Sequence, residues 1–289
     1  MVGILLLQFR GDAQQQMENS MSQYFRSPMM WNAGFTGADG NKIYAMQNRS
    51  WIGFDGAPVL TNISGEMVFG ANSAVGVQLL SDLTGVLHRT YGVFNYAYRI
   101  KLNKRDDQLR LGISLAFSGD RVNNNYVDQN GVIDQAILND INTRLQFDAN
   151  IGAVYTRDKL TVGVSFYRLR ENFGVLSGGE ANLAFAQMGG TYDININNDE
   201  NLHLKPLLML RLYRGTNALV DMGGQFEYNK MLNAMLVYQS SGNIRSGAGV
   251  RLNQFIDANF FYNTNVLVAN TSSQQYELGI GFHFKGKKQ

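Results

Sequence analysis

A period-two alternation that recurs from residue 42 to residue 284 limits how this chain can fold more than any other feature. In YELGIGFHF, Tyr276, Leu278, Ile280, Phe282 and Phe284 share one face, and Glu277, Gly279, Gly281 and His283 share the other. LRLGISLAF divides the same way, with Leu109, Leu111, Ile113, Leu115 and Phe117 opposite Arg110, Gly112, Ser114 and Ala116. LHLKPLLMLRL follows, except that Leu207 and Met209 interrupt the polar face of His203, Lys205 and Arg211. Such alternation means β-strands with one apolar face.

A soluble sandwich alternates too. Three features select a membrane barrel. The segments approach the ~9–11 residues that a tilted strand needs to cross a bilayer, whereas an ordinary strand has about five or six. The second face carries Gly, Asn, Gln, Ser and scattered charges, which suits a wet lumen better than a packed core. Aromatics gather near segment ends, at Tyr96, Tyr98, Tyr167, Tyr213, Tyr228 and Phe260 to Tyr262, where interfacial girdles belong. Composition agrees. Among 289 residues there are 31 Gly, 14 Tyr and 17 Phe, and 17% are charged, against about 25% in an ordinary soluble domain. Beyond the N-terminus no run approaches the ~20 apolar residues of a spanning helix.

The expected fold is all-β, a transmembrane antiparallel up-and-down β-barrel of about 14 strands, an even number as closed bacterial barrels require. Strand starts fall near Lys42, Val59, Ser73, His88, Gln108, Ile141, Lys159, Asn182, Asn201, Asn217, Lys230, Asn243, Phe255 and Gln275. Tight turns such as Gly70-Ala71-Asn72, Arg157-Asp158 and Asn229-Lys230 alternate with longer connections at Ser81 to Leu87, Gly119 to Asp140, Asn172 to Ala181 and Leu267 to Ser273. That asymmetry puts both termini on the short-turn, periplasmic side. The chain divides into a signal peptide at 1–13, a periplasmic N-terminal segment at 14–41, an outer-membrane barrel at 42–284 and a tail at 285–289. The signal reading rests on the apolar run before Gly11-Asp12-Ala13. In the last strand, Glu277, Gly279, Phe282 and Phe284 resemble the signal read by the outer-membrane barrel assembly machinery.

Chemistry-bearing residues are sparse. Without Cys there is neither a disulfide framework nor a thiolate metal site, and a net charge of +2 without a basic stripe points to no nucleic acid. His88, His203 and His283 lie on three separate segments with no second His or carboxylate at ligand spacing. Asp128, Asn130 and Asp134 suggest a calcium loop, but they lack the EF-hand order and its closing Glu. A solvated outer loop explains them at less cost. No enzyme and no cofactor is expected.

The stretch SWIGFDGAP sets Trp51, Gly53, Phe54, Asp55, Gly56 and Pro58 on a shaped loop, since Gly permits unusual backbone angles and Pro cannot continue a paired strand. With Arg49 and Ala57 it matches an Arg-x-Trp-x-Gly-Phe-x-Gly-Ala-Pro element of the PorP/SprF family. The segment SMSQYFRSPMMWNAGFTGADG resembles that family's opening through Gln23, Tyr24, Phe25, Pro28, Asn32, Ala33, Gly34 and Gly37, although no Pro follows Asn32. The resemblance extends through YGVFNYAYRIKL and NLHLKPLLMLRLY to cover nearly the whole mature chain. It implies an outer-membrane barrel of Bacteroidetes-type bacteria that works with the type IX secretion system. Such a barrel would assist export or anchoring of large surface proteins, such as gliding adhesins, that carry a C-terminal sorting domain. The implied partners are periplasmic and lipoprotein components of the machine, the exported protein and outer-membrane lipid. Trp51, Gly53, Phe54, Asp55, Gly56 and Pro58, with Tyr24, Phe25, Pro28, Trp31 and Asn32, are the candidate partner-binding or lumen-plug residues. The rival reading is an outer-membrane porin or small-solute transporter, for which polar lumen faces suffice.

Overall fold

The structure, a computed structural model, describes residues 22–51, 54, 56–85, 87–102, 107–122, 145–172, 185–197, 199, 201–213, 217–266 and 274–284. The alternating segments form strands β1 (Asn41–Ser50), β2 (Val59–Phe69), β3 (Ser73–Thr84), β4 (Leu87–Lys101), β5 (Gln108–Val122), β6 (Gln146–Arg157), β7 (Leu160–Phe166), β8 (Phe185–Tyr192), β9 (Ile194–Asn195), β10 (Leu202–Tyr213), β11 (Leu219–Tyr228), β12 (Leu232–Gln239), β13 (Asn243–Arg251), β14 (Ile256–Asn265) and β15 (Gln275–Phe284). β8 and β9 are one crossing. Both pair with β10 in a single register, Leu207 with Thr191 and Leu204 with Ile194. Pairing lapses between them, opposite Lys205 and Pro206, because proline brings no N–H to the ladder. Fourteen antiparallel crossings therefore make the sheet.

The sheet closes where β1 pairs with β15, from Asn41 opposite Phe284 to Ser50 opposite Gln275. Closure satisfies backbone groups that an open edge would leave bare in lipid. The same pairing puts the start of β1 and the end of β15 at one rim. Leu111, Ile113, Leu115 and Phe117 of β5 point outward, Leu115 at 66% exposure, while Ser114 between them is buried inside. β15 repeats this, with Leu278, Ile280, Phe282 and Phe284 outside and Glu277 inside.

Strands begin at Val59, Ser73, Gln108, Asn243 and Gln275, where the alternation puts them. The expected starts at Ile141 and Asn182 fall outside the described residues, as do residues 1–13, 285–289 and the Asp128, Asn130 and Asp134 group. Two connections differ from the expectation. Ser81 to Thr84 continue β3 and β4 begins at Leu87, so the loop read there is a tight hairpin with Gly85 at φ +58°. Its polar residues bond across the hairpin and along β3. Ser81 Oγ lies 2.9 Å from His88 Nε2, and Thr84 Oγ1 donates to Asp82 at 2.9 Å. Similarly, Gly119 to Val122 extend β5, held by the Arg89 fork on Asp120 at 2.6 and 2.9 Å. The sequence sets residues 14–41 ahead of the barrel; the described part, Ser22 to Gly40, runs inside it.

Candidate functional site

Residues 22–40 fill the lumen as two short 3-10 turns, Pro28–Met30 and Ala33–Phe35, joined by extended backbone. Pro28 opens the first turn, where a missing N–H costs nothing. Asn32 caps the second by accepting the Gly34 N–H at 2.8 Å. Trp31 stacks on Tyr24, with ring centroids 4.8 Å apart at 19°, and leans on Phe35 at 4.8 Å. Phe25 meets Tyr24 edge-on at 4.9 Å. These rings pack against Val154, Leu207, Met209, Met235, Val237 and Phe261, inward side chains of β6, β10, β12 and β14. The interior is thus a packed core around a plug, not the wet lumen that the polar strand faces suggest. Leu207 and Met209, the exceptions on the polar face of β10, belong to the same buried cluster as the plug rings, Met209 at 0% exposure. Burial also pushes the Tyr24 phenol well above its usual range, so it stays neutral.

Polar bonds fix the plug from several sides. The Trp31 carbonyl accepts from Ser165 at 3.0 Å, from Gln187 at 2.6 Å and from Tyr167. Asn32 Nδ2 donates to the Ala153 and Val164 carbonyls at 3.2 and 3.0 Å. Lys42 Nζ donates to the Arg26 carbonyl at 2.7 Å, and Glu66 accepts the Gly37 N–H at 2.7 Å. At the other end, Ser22 Oγ bonds Asn263, and the Tyr44 hydroxyl joins Gln23 to Asn259.

The facing wall is carved for this backbone. A methyl group on Gly112 would lie 2.3 Å from the Gly34 nitrogen, one on Gly152 2.1 Å from Asn32 Oδ1, and one on Gly76 2.3 Å from Met29 Sδ. Gly112 and Gly152 are directly paired across β5 and β6. Nothing in the alternation distinguishes these glycines from ordinary small lumen residues. Replacing Gly152 by Leu should therefore eject the plug from its seat while the strands stay closed. Trypsin should then cut after Arg26 in the folded variant but not in the parent; equal protection would show that the bed is not needed.

Plug and barrel both fall within the match to a known family. The family model for the type IX secretion system membrane protein PorP/SprF matches residues 13–282. This chain belongs to the PorP/SprF family. Its fold is that of an outer-membrane barrel: the Acinetobacter baumannii outer membrane protein Omp33 superposes with a TM-score of 0.54 at 8% identity, covering 85% of this chain and 98% of that one. The KdgM porin is similar at a TM-score of 0.43 and 9% identity over 84% of this chain and 99% of its own. No curated protein matches the chain. The PorP/SprF barrel described here is thus an outer-membrane component of type IX secretion.

The second candidate group in this PorP/SprF barrel sits apart from the plug, at the Ser50 end of β1. Trp51 adopts φ +52° and donates its N–H to the Gln274 carbonyl at 3.2 Å. Phe54 N–H returns to the Trp51 carbonyl at 3.2 Å, and the Gly56 carbonyl accepts from Gly85 at 3.0 Å. Gly56 takes φ +72°, which glycine allows without strain. Trp51 is half-buried on the rim, whereas Phe54 is 61% exposed. Gly53 and Asp55 lie outside the described residues. The two candidate groups therefore meet different surroundings: Tyr24, Trp31 and Asn32 are buried in the lumen, and Phe54 stands on the rim.

Glu277 is fully buried and accepts from Asn48 Nδ2 at 3.3 Å, and a Cβ at Gly279 would strike the Tyr44 hydroxyl at 1.9 Å. The histidines prove less isolated than their spacing suggests. His203 Nδ1 lies 2.7 Å from Asp193, and His283 Nε2 lies 2.5 Å from Asp257. Both pairs join adjacent strands that sequence spacing cannot align. No group of three or more potential ligands forms a metal site among the described residues. Deeper in, Asp221 accepts from Arg211 Nε at 2.9 Å, Arg245 at 3.0 Å and Gln239 at 3.0 Å.

Proposed function

We propose that this barrel is a non-enzymatic docking part of the type IX machine, which holds large exported proteins with C-terminal sorting domains, such as gliding adhesins, during export or surface anchoring. In this reading residues 1–13 are a signal peptide, both termini face the periplasm, and periplasmic and lipoprotein components bind there. Glu277, Gly279, Phe282 and Phe284 then serve as the assembly signal in the closing strand. The observation that carries the reading is the occupied lumen. A diffusion porin needs an open path, whereas a docking part needs a rigid body with presentable rims. The short connections at the rim where β1 starts and β15 ends support the orientation.

The test is purification of the tagged protein from its native membrane in gentle detergent, with mass spectrometry of what stays bound. Reproducible recovery of secretion components or of a protein with a sorting domain supports docking. A barrel that comes off alone and conducts ions in a planar bilayer hands the case to the porin reading. Phe54 on its exposed rim adds a narrower expectation. Trp51→Ala with Phe54→Ala should reduce export of the bound surface protein several-fold while the barrel still assembles. Unchanged export would assign the loop to packing on its own rim.

A further inference from the structure

Below the plug, toward the rim where β1 starts and β15 ends, lies a recess of about 350 Å³, within the size range of small-ligand pockets, roughly 300–1,000 Å³. Its inner end is shut by plug residues, among them Phe25 and Phe35, and its wall comes from β5 to β8 and β10. On that wall Thr156 is directly opposite Thr161, and Thr161 directly opposite Thr191, so three hydroxyls stand in one row across β6, β7 and β8. None of the three makes a side-chain hydrogen bond among the described residues, so each keeps a donor and acceptors to offer. Beside the row, Arg110 of β5 donates to the Thr36 carbonyl at 3.3 Å and forms no direct ion pair among the described residues, with Asp39 and Glu66 acting on it only from a longer range.

The acidic groups of the recess are placed otherwise. Asp193 is held by His203 at 2.7 Å with Lys205 at 3.8 Å, Asp39 sits 3.5 Å from Lys42, and Asp158 stands exposed at the β6–β7 turn. What remains toward the interior is a guanidinium with spare donors, a row of unused hydroxyls and an aromatic floor. A guanidinium selects carboxylates through paired, charge-assisted hydrogen bonds. The row can satisfy peptide N–H and C=O groups, and the rings can take an apolar side chain. Because the plug closes the recess, a chain can enter from the rim but cannot run through. That geometry favours a chain end over a chain middle.

We propose that this recess binds the C-terminal end of an extended peptide from a protein partner. Arg110 takes the terminal carboxylate, the threonine row takes the last peptide groups, and Phe25 with Phe35 receives an apolar final side chain. This deepens the docking reading, but it is measured on the isolated barrel, so either can fail without the other. The experiment titrates the full-length protein in detergent with an N-terminally labelled tetrapeptide that ends in phenylalanine with a free carboxylate. Comparators are the same peptide amidated at its C-terminus and an amidated peptide carrying an internal glutamate. The free acid should bind about tenfold more tightly than either, roughly the loss of one charge-assisted hydrogen bond. Arg110→Gln should bring the acid down to the amide's affinity and Arg110→Lys should retain part of the difference, both in barrels that still show heat-modifiable migration. Threonine-to-valine changes at Thr161 and Thr191 should weaken all three peptides. Equal binding of acid and amide, equal binding of the internal glutamate peptide, no binding of any of the three, or an unaffected Arg110→Gln variant overturns the proposal.

Discussion

Removing residues 22–37 should turn a barrel that passes little current into one that conducts steadily. Barrel width grows with strand number: eight strands leave an interior that side chains can fill, and 16–18 leave an aqueous channel. Fourteen crossings fall between these, and the wall behind the plug is lined by Gly76, Gly112, Gly152 and Gly163, which contribute no side chain. The plug, with Trp31 at 2% exposure among strand residues Met209, Met235 and Phe261, supplies the missing volume. Without it the strands have nothing long enough on that wall to meet across the gap. If the truncated chain fails to assemble, Tyr24→Ala, Trp31→Ala and Phe35→Ala together keep the backbone ties and remove the bulk. Each loss of a buried ring costs ~3–5 kcal/mol in an ordinary core, so the triple variant should also loosen the segment to trypsin. Single-channel recordings in planar bilayers decide the matter. Parent and variants with the same small conductance would mean that the lumen is closed elsewhere, and a parent that already conducts strongly would mean that the plug leaves a path beside it.

The barrel itself was legible because a lipid-facing wall imposes one rule on every crossing. Outward side chains must be apolar and alternate with inward ones, so starts such as Gln108 and Gln275 could be read directly. The plug was half legible: Tyr24, Pro28, Trp31 and Asn32 stand out in a stretch without alternation, yet nothing local says whether such a segment docks outside or folds inside. The decisive signal was on the strands. Leu207 and Met209 break a polar face, which is unreasonable against water and natural against a buried tryptophan. Gly112 and Gly152 carry a similar message, but it emerges only once register places them side by side. The misread hairpin at Ser81 to Leu87 has the opposite cause. Ser81, Asp82 and Thr84 look like loop residues, but Asp82 and Thr84 face the barrel interior, where polar side chains are ordinary strand residues bonded here to each other, and Ser81 bonds His88 on the outer face beside the rim. Carboxylate partners of His203 and His283 were hidden for the same reason, since neighbours across a sheet are set by register and not by spacing.

Replacing Asp221 by Ala should be the most damaging single change to stability in the barrel. Its carboxylate is fully buried and is shared by Arg211 and Arg245, both also buried, with Gln239 as a fourth member. Such a pair contributes little net stability as formed, because desolvating the ions offsets their attraction. Removing one partner is a different operation. It leaves two guanidinium groups facing each other inside the wall of β10, β11 and β13 with no anion between them, and breaking a buried pair in this way typically costs ~3–5 kcal/mol. Asp221→Asn keeps the shape and one acceptor, so its loss should be smaller. Lys205 and Glu227, 3.3 Å apart and partly exposed near the rim, give the contrast. Water and salt screen them, and Glu227→Ala should cost no more than about 1 kcal/mol. Urea unfolding of the three variants in the same lipid vesicles, followed by tryptophan fluorescence, orders the effects. The expected sequence of midpoints is Asp221→Ala lowest, Asp221→Asn next and Glu227→Ala close to the parent. A midpoint for Asp221→Ala as high as that for Glu227→Ala would mean that water reaches Arg211 and Arg245 despite their burial, and that the inner wall is wetter on this side than its packing implies.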